Sequence, residues 1–250
     1  MANIFGEDSV VKALLPNMAI AVMGYGNQGR SHALNLRDQG AKVVVGARQG
    51  AGFQLAKDDG FDPVSLSEAA SEGKVLMLTL PDVEMGPIYR EHIEPYVRSG
   101  ATLLFCHGVN IRYGLVQPAQ GLNVGLVSPK GSGFSLRQAF VSGKSLPGLI
   151  AAHADPSRNT LEICKAYAWG IGCGNLMVKT TIAEETETDL FGEQAVLCGG
   201  IMDLIKAGFD TLVEAGYQPE AAFFECVYES KLIVDLLLSK GLEGMRSAIS

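Results

Sequence analysis

The chain has 250 residues, of which 47% are hydrophobic and 19% are charged, and its net charge is −7. This composition is typical of a globular protein, and the length suits one large domain or two moderate ones. The negative charge and the lack of any Lys/Arg run argue against a nucleic acid as partner.

The sequence also bears on location. The N-terminal stretch MANIFGEDSVVKALLPNM lacks the charged start and unbroken apolar core of a signal peptide. No apolar stretch reaches the roughly 18–20 uncharged residues that a membrane span needs. The five cysteines are scattered and form no CxxC pair, which favours reduced thiols. We therefore expect a cytoplasmic protein with no membrane partner.

From Met18 to about residue 180, short β-branched runs alternate with amphipathic stretches. Such alternation predicts βαβ units and a mainly parallel, doubly wound sheet. We expect residues 1–181 to form a Rossmann-like α/β domain. Its strands are predicted over 18–26, 42–48, 75–82, 101–108, 123–129 and 147–154, and its helices over 28–40, 83–100 and 157–172.

After residue 181 the apolar residues recur with helical periodicity, interrupted by glycines and by Pro219 at a helix start. We expect residues 182–250 to form an all-helical C-terminal domain. It is short for a self-sufficient core, so its apolar faces require either the first domain or another chain.

A glycine-rich turn follows the first strong strand and opens a helix. Gly24 permits a tight turn, Gly26 allows backbone to approach a pyrophosphate, and Gly29 allows close packing of helix on strand. The free N–H groups of the helix start then suit the phosphates. The predicted dinucleotide-binding residues of this turn are Gly24, Tyr25, Gly26, Asn27, Gln28 and Gly29.

The second strand ends in VVVGARQG, with Arg48 where NAD-binding proteins usually carry an acid for the ribose 2′-hydroxyl. A guanidinium suits a 2′-phosphate, which favours NADPH. The alternative is that Arg48 only extends its side chain into water at a strand end.

Two candidate catalytic residues follow later strands. His107, in FCHGVN, and Lys130, in SPKGSG, both lie at the strand ends where open α/β sheets bind their ligands. Taken alone, a His in a loop is more often a surface or hydrogen-bonding residue, and a Lys beside Pro and glycines is more often a solvated loop residue.

Two pairs of carboxylates lie at helical i,i+4 spacing, Asp189 with Glu193 and Glu225 with Glu229. Each pair directs two carboxylates the same way, and four such groups suit Mg²⁺. Acids in a first helical turn also complement the helix dipole, and that reading accounts for the neighbouring acids Glu184, Glu185 and Glu187.

With these motifs placed, the chain resembles the ketol-acid reductoisomerases (acetohydroxy acid isomeroreductases) in their short-chain form, from about Ile4 to Ser250. The motifs that carry the resemblance are GYGNQG with SHALNLRDQG, HGVNI, SPKG, EETETDLFGEQAVLCGG, KAGFDTLVEAGYQPEAAFFE and ESKLIVDLL.

The resemblance implies conversion of acetohydroxy acids such as 2-acetolactate to 2,3-dihydroxy acids, in branched-chain amino-acid biosynthesis. A Mg²⁺-dependent alkyl shift would precede hydride transfer from NADPH. Asp189 would bridge two Mg²⁺ ions and Glu193 would bind one. The partner subunit of an intertwined homodimer, or of a higher homo-oligomer, would supply Glu225 and Glu229.

Further roles follow from the same resemblance. His107 and Lys130 would belong to the active site, and Ser250 would contact the substrate. Residues implied around the dinucleotide, besides the glycine turn and Arg48, are Ala51, Phe53, Asp82 and Gly133.

The chain also departs from the family pattern. Ala51 and Phe53 stand where relatives commonly have serines that hold the 2′-phosphate, and Met85 replaces a frequent Gln. NADH or mixed use is therefore an expectation beside NADPH. GSGF and HGVNI replace the usual GPGH and HGFNI, and relatives continue beyond Ser250, so we expect a C-terminally shortened form.

Two other readings remain open. A simple NAD(P)-dependent hydroxyacid dehydrogenase would share the Rossmann half and need no four-carboxylate site. A cofactor-binding protein inactivated by C-terminal shortening would bind NADPH and Mg²⁺ without turnover.

Overall fold

We describe residues 4–249 of the protein from a computed structural model. The chain divides into two compact units, Met1–Thr186 and Glu187–Ser250, which are taken one at a time.

The first unit is built on one eight-stranded sheet with the order β1-β8-β7-β6-β5-β4-β2-β3. The neighbouring strands β3, β2, β4, β5 and β6 run parallel to one another, whereas β7 is antiparallel to β6 and β1 is antiparallel to β8. The strands are β1 Ile4–Phe5, β2 Ala19–Met23, β3 Lys42–Gly46, β4 Val75–Leu78, β5 Thr102–Phe105, β6 Asn123–Pro129, β7 Gly148–Ala154 and β8 Met177–Lys179.

Helices cover both faces of this sheet, so the central strands are apolar without alternation: every residue of β4 (VLML) and β5 (TLLF) is buried. Separate apolar clusters pack on the two sides. The helices of the unit are α1 Asn27–Asp38, α2 Ala51–Asp58, α3 Leu66–Glu72, α4 Asp82–Ile88, α5 Val109–Arg112, α6 Gly133–Val141 and α7 Thr160–Ile171. The predicted Rossmann-like architecture is confirmed.

The predicted helix over 83–100 is broken in the structure. After α4 the chain forms a π-helical turn, Tyr89–Ile93, and a 3-10 turn, Glu94–Tyr96. Pro87 and Pro95 lie in this stretch and have no N–H to donate, which explains why one regular helix does not persist.

The strand order reverses between β2 and β4, since β3 lies on the other side of β2. Ligands of open α/β sheets bind at such a switch point, outside the carboxyl ends of the strands. Because β2 to β6 run parallel, the glycine turn after β2, Asp82 after β4, His107 after β5 and Lys130 after β6 all lie at this edge.

The second unit is helical, as predicted. The helix α8, Ile182–Phe191, enters it and continues as a π-helical segment, Gly192–Ile201. Then follow α9 Met202–Glu214, α10 Pro219–Phe223, a π-helical turn Phe224–Tyr228 and α11 Glu229–Ile249, which breaks at Gly241.

Ala222 is the one buried residue among positions 187–249 of this unit. No helix within residues 4–249 is both long and apolar enough to cross a membrane.

Candidate active site

The glycine turn has the geometry that a dinucleotide needs. Gly24 takes a φ of +105° and donates its N–H to the carbonyl of Gly46 at 2.8 Å. A Cβ at Gly29 would overlap the carbonyl of Gly24, so only glycine lets α1 start this close to the strand. A Cβ at Gly26 would meet no atom within 4 Å, which leaves the backbone open to a phosphate group. Asn27 and Gln28 begin α1, and the free N–H groups of its first turn suit that charge.

Tyr25 is the member of the glycine turn whose side chain packs into the protein core. Its side chain is buried, packs edge-on against Phe61, and donates its hydroxyl proton to Asp59 at 2.9 Å. Burial, and then the bond to Asp59, raise the pKa of Tyr25 well above its usual value. The side chain therefore anchors the turn on the following αβ unit, and a dinucleotide role falls to the backbone of Tyr25.

The loop that carries Lys130 rests directly on the glycine turn. Gln28 donates its Nε2 hydrogen to the carbonyl of Gly131 at 3.1 Å, and Ser31 donates its hydroxyl to the carbonyl of Gly133 at 2.6 Å. A Cβ at Gly133 would overlap the carbonyl of Asn27, so glycine is required there as well. The dinucleotide turn and the Lys130 loop are thus one packed structure.

At the end of β3, Arg48 forms an ion pair with Glu84, from the first turn of α4, with 2.8 Å between Nη2 and Oε2. Ala51 begins α2, and Phe53 packs partly against the core. Arg48 and Phe53 line a cavity of about 270 Å³, together with Ala47, Gln49, Ser65, Leu66, Ser67 and His92.

Asp82 starts α4 at the next strand end. Its side chain accepts a hydrogen bond from Asn110 Nδ2 at 3.1 Å, and its carbonyl accepts from the same nitrogen at 3.3 Å. Asp82 therefore ties the loop after β4 to the helix α5 that follows His107.

His107 and Lys130 are brought together by a third residue, Glu185. Lys130 Nζ donates to Glu185 Oε1 at 3.1 Å, and His107 Nδ1 lies 3.2 Å from Oε2. The hydroxyl of Ser128 donates to Oε1 at 2.7 Å, and the N–H of Gly108 donates to Oε2 at 3.0 Å. Both oxygens of one carboxylate thus organise the strand ends of β5 and β6.

Glu185 is fully buried, and burial alone would raise the pKa of a carboxyl group. The hydrogen bonds from His107 and Ser128 and the charge of Lys130 outweigh that effect and lower the pKa of Glu185 to about 2. Because this pKa is depressed from 4.5, its contribution to stability is present above about pH 4.5 and is lost as the pH falls towards 2.

The prediction that Glu185 is only a helix-start acid is therefore wrong. It lies inside the first turn of α8, yet it serves the loops of two strands. The signal available in the sequence was its position four residues before Asp189, which puts both acids on one helical face. Glu184, by contrast, is exposed and accepts a bond from Thr180, as expected of a helix-start acid.

The four predicted metal ligands lie at joins between α-helix and π-helix. Asp189 is in α8 and Glu193 in the π-helical segment, while Glu225 is in the second π-helical turn and Glu229 begins α11. Local π-helical turns are frequent at functional sites. Within residues 187–249 these carboxylates do not gather into a set of three or more. Ser250, the predicted substrate contact, lies outside the described residues.

The parallel sheet with a glycine turn at its switch point, and ionisable groups beside it, defines a dinucleotide-dependent oxidoreductase. A family model for the NADPH-binding domain of acetohydroxy acid isomeroreductase matches residues 14–176, and one for the C-terminal domain of ketol-acid reductoisomerase matches residues 182–250. The chain belongs to the ketol-acid reductoisomerase family. Its class is therefore that of the NAD(P)H-dependent reductoisomerases of branched-chain amino-acid biosynthesis, and the predicted family is confirmed.

Solved structures agree with this placement. The structure of an NADH-preferring ketol-acid reductoisomerase from an uncultured archean is 40% identical, with a TM-score of 0.94, and the match covers 99% of this chain and 77% of that one. Two more distant structures share the fold. An NAD-binding semialdehyde dehydrogenase protein from Cupriavidus necator is 19% identical over 89% of this chain and 84% of its own, with a TM-score of 0.74. For 3-hydroxyisobutyrate dehydrogenase of Mycobacterium tuberculosis the identity is 16% over 90% and 72%, with a TM-score of 0.60.

Proposed function

We propose that this enzyme converts 2-acetolactate-type acetohydroxy acids to 2,3-dihydroxy acids by alkyl migration followed by hydride transfer, with His107 and Lys130 as its catalytic residues. The observation that supports this assignment is the Glu185 carboxylate, which holds the imidazole and the ammonium at adjacent strand ends beside the dinucleotide turn.

His107 suits the role of general base. An ionised carboxylate can only accept hydrogen bonds, so Nδ1 of His107 carries the proton that it shares with Glu185. Nε2 of a neutral imidazole is then the unprotonated ring nitrogen, the atom through which a base accepts a proton. It would take the proton of the substrate hydroxyl while the alkyl group shifts.

Lys130 suits the role of charged donor. Its ammonium has three N–H groups, so the bond to Glu185 is compatible with donation to a substrate oxygen. In this role it would stabilise the negative charge that develops on the former ketone oxygen and supply a proton there. Bound NAD(P)H would supply the hydride that completes the reduction.

The chemistry of the donor set fits Mg²⁺. Asp189, Glu193, Glu225 and Glu229 offer oxygen ligands only, as a hard divalent cation prefers. Two Mg²⁺ ions held there would polarise the substrate ketone and stabilise alkoxide charge.

We propose that a second copy of the chain completes the site as a homodimer, or within a higher homo-oligomer. Exposed apolar side chains run along the helical unit, including Leu204 (74% exposed), Phe224 (57%) and Leu238 (87%). With Ala222 as the one buried residue among positions 187–249, this unit lacks a core of its own. An equivalent helical unit would cover these faces and bring its own Glu225 and Glu229 to Asp189 and Glu193.

We place the enzyme in the cytoplasm.

The test is consumption of 2-acetolactate with NADPH and NADH in parallel, with Mg²⁺ and after treatment with EDTA. We expect turnover that depends on Mg²⁺. Asp189→Asn should abolish turnover and leave dinucleotide binding near that of the parent. Activity that survives EDTA would instead indicate a simple hydroxyacid dehydrogenase. Binding of NAD(P)H and Mg²⁺ without turnover would indicate a non-enzyme.

A further inference from the structure

The ion pair of Arg48 with Glu84 lies where Rossmann domains distinguish NADH from NADPH. In such domains the residue at the end of the second strand of the βαβ unit contacts the adenosine ribose, an acid binding the 2′-hydroxyl and an arginine the 2′-phosphate. Arg48 holds that place in this chain, just beyond β3, and its guanidinium lies 2.8 Å from the Glu84 carboxylate.

A 2′-phosphate at this position would face the Glu84 carboxylate as well as the Arg48 guanidinium. It carries a charge of about −1.5 to −2 and needs cations and hydrogen-bond donors. Arg48 already faces the Glu84 carboxylate, and neither Ala51 nor Phe53 has a donor in its side chain. Lys57, the cation one helical turn after Phe53, lies with its Nζ 5.1 Å from the centre of the Phe53 ring.

A 2′-hydroxyl has the opposite requirement, since it needs an acceptor. A carboxylate is the usual one, and Glu84 supplies it from the first turn of α4. The strand before α4, β4, lies next to β2 in the sheet, so α4 begins at the same edge as the glycine turn.

We infer that Glu84 is a specificity-determining residue that favours NADH over NADPH in this enzyme. The inference rests on the proposed function, because it concerns the dinucleotide that the glycine turn would hold. Both partners of the pair are about half exposed, at 55% and 53%, so the pair itself is weak and does not lock Arg48 in place. The discrimination comes from repulsion between the carboxylate and a phosphate dianion.

The experiment measures equilibrium binding of NADH and NADPH by titration calorimetry at low ionic strength, in the absence of substrate. The parent should bind NADH more tightly. Glu84→Gln should lower the Kd for NADPH by about fivefold to tenfold, as expected for removal of one nearby like charge. It should not tighten the binding of NADH.

The matched control is Glu72→Gln. Glu72 is exposed at the end of α3, and the chain after it enters the opposite edge of the sheet, where Lys74 bonds the carbonyl of Ala19. This change in net charge should leave both Kd values as they are. The effect of Glu84→Gln should also shrink at about 1 M salt, where charges are screened within about 3 Å.

Two results would overturn the inference alone: tighter binding of NADPH than NADH by the parent, or an unchanged ratio of Kd values in Glu84→Gln. Failure of the parent to bind either dinucleotide would overturn the proposed function, and the inference with it.

Discussion

In the first unit, the single carboxylate of Glu185 contacts both candidate catalytic residues, His107 and Lys130. It receives hydrogen bonds from Gly108, Ser128 and Lys130 and adjoins His107, so two strand ends depend on one charge. Removing one partner from a buried charged network costs about 3–5 kcal/mol, because the remaining charges lose their compensation. In the proposed reaction Glu185 is thus a positioning residue, which acts through His107 and Lys130.

We expect Glu185→Gln to lower kcat by about a hundredfold, the scale of general acid–base assistance, and to leave the Kd for NADH within a few fold. An amide cannot accept from all of these donors, so the orientation of His107 and the place of Lys130 are both loosened. Steady-state kinetics across pH provides the measurement. The acid limb of the pH–rate profile should move, which a purely structural defect would not cause.

The control for that substitution is Glu184→Gln, the exposed neighbour in the same helical turn. It makes the same chemical change and should keep the kcat and the pH–rate profile of the parent. A kcat of Glu185→Gln within twofold of the parent would contradict the positioning role.

His32 should dominate the acid sensitivity of folding. It is fully buried in α1, where burial lowers its pKa from 6.5 to about 3. Below about pH 6.5 the imidazole of His32 therefore binds a proton in the unfolded chain but not in the folded chain. The contribution of His32 to the free energy of unfolding is fully present above pH 6.5. It is lost as the pH falls towards 3, by up to about 1.4 kcal/mol per pH unit.

Denaturant unfolding between pH 6.5 and 4.5 isolates this effect, because Glu185 contributes its own change only below about 4.5. His32→Gln should flatten the slope of unfolding free energy against pH, whatever its stability at pH 7. His153→Gln, on an exposed imidazole of β7, should keep the parental slope. An equal slope in His32→Gln and the parent would refute the assignment.

The sequence predicts part of the arrangement at this candidate site. That His107 and Lys130 lie at the same sheet edge could be predicted, because parallel strands end at one edge of a sheet. The helix-start interpretation does not separate Glu185 from Glu184 and Glu187, since all three suit a helix start. The spacing of four residues to Asp189 favours Glu185, and the packing of α8, which buries Glu185 alone of the three, identifies it.

Among the elements, the close packing of α6 on the glycine turn links the Lys130 loop to dinucleotide binding. Gly133→Ala would place a methyl group on the carbonyl of Asn27, so α6 or the turn must move. We expect the Kd for NADH to rise by about tenfold, equivalent to about 1.4 kcal/mol, since overpacking costs about 1–3 kcal/mol. Calorimetric titration of NADH measures this.

Phe134→Ala is the matched substitution at the next position, because the Phe134 side chain is 71% exposed. It should leave NADH binding close to that of the parent. Unchanged binding in Gly133→Ala would show that the contact has no role in holding the dinucleotide site.

The predictability of elements followed their length and pattern. The strands β4 and β5 are continuous apolar runs and were predicted, as was the amphipathic helix α1. The helices α2 and α3 are only eight and seven residues long, and the strands β1 and β8 have two and three. Such short pieces are stabilised by tertiary packing and lack the periodicity that identifies longer elements.

At the scale of the whole molecule, the exposed apolar side chains of the helical unit support the proposed homo-oligomer. Its apolar side chains are exposed on α9, on the π-helical turn at Phe224 and on α11, and a face of that extent marks an interaction surface. The proposed metal site is consistent with this assembly, because residues 187–249 do not bring Asp189, Glu193, Glu225 and Glu229 together as one set. A second copy of the chain would both cover the apolar face and complete the metal site, since a two-fold interface uses the same patch on each chain.

Light scattering coupled to size-exclusion chromatography should therefore find the parent as a dimer or larger. Leu238→Lys puts a charge on the most exposed of these leucines and should shift the chain to monomer. Val141→Lys, at a 68% exposed apolar residue of α6, makes the same change on the first unit and should stay assembled. The monomeric variant should lose Mg²⁺-dependent turnover of 2-acetolactate and still bind NADH, because the glycine turn lies within one chain whereas the metal ligands of the proposed site come from two. A monomeric parent with full turnover would show that one chain completes the metal site alone.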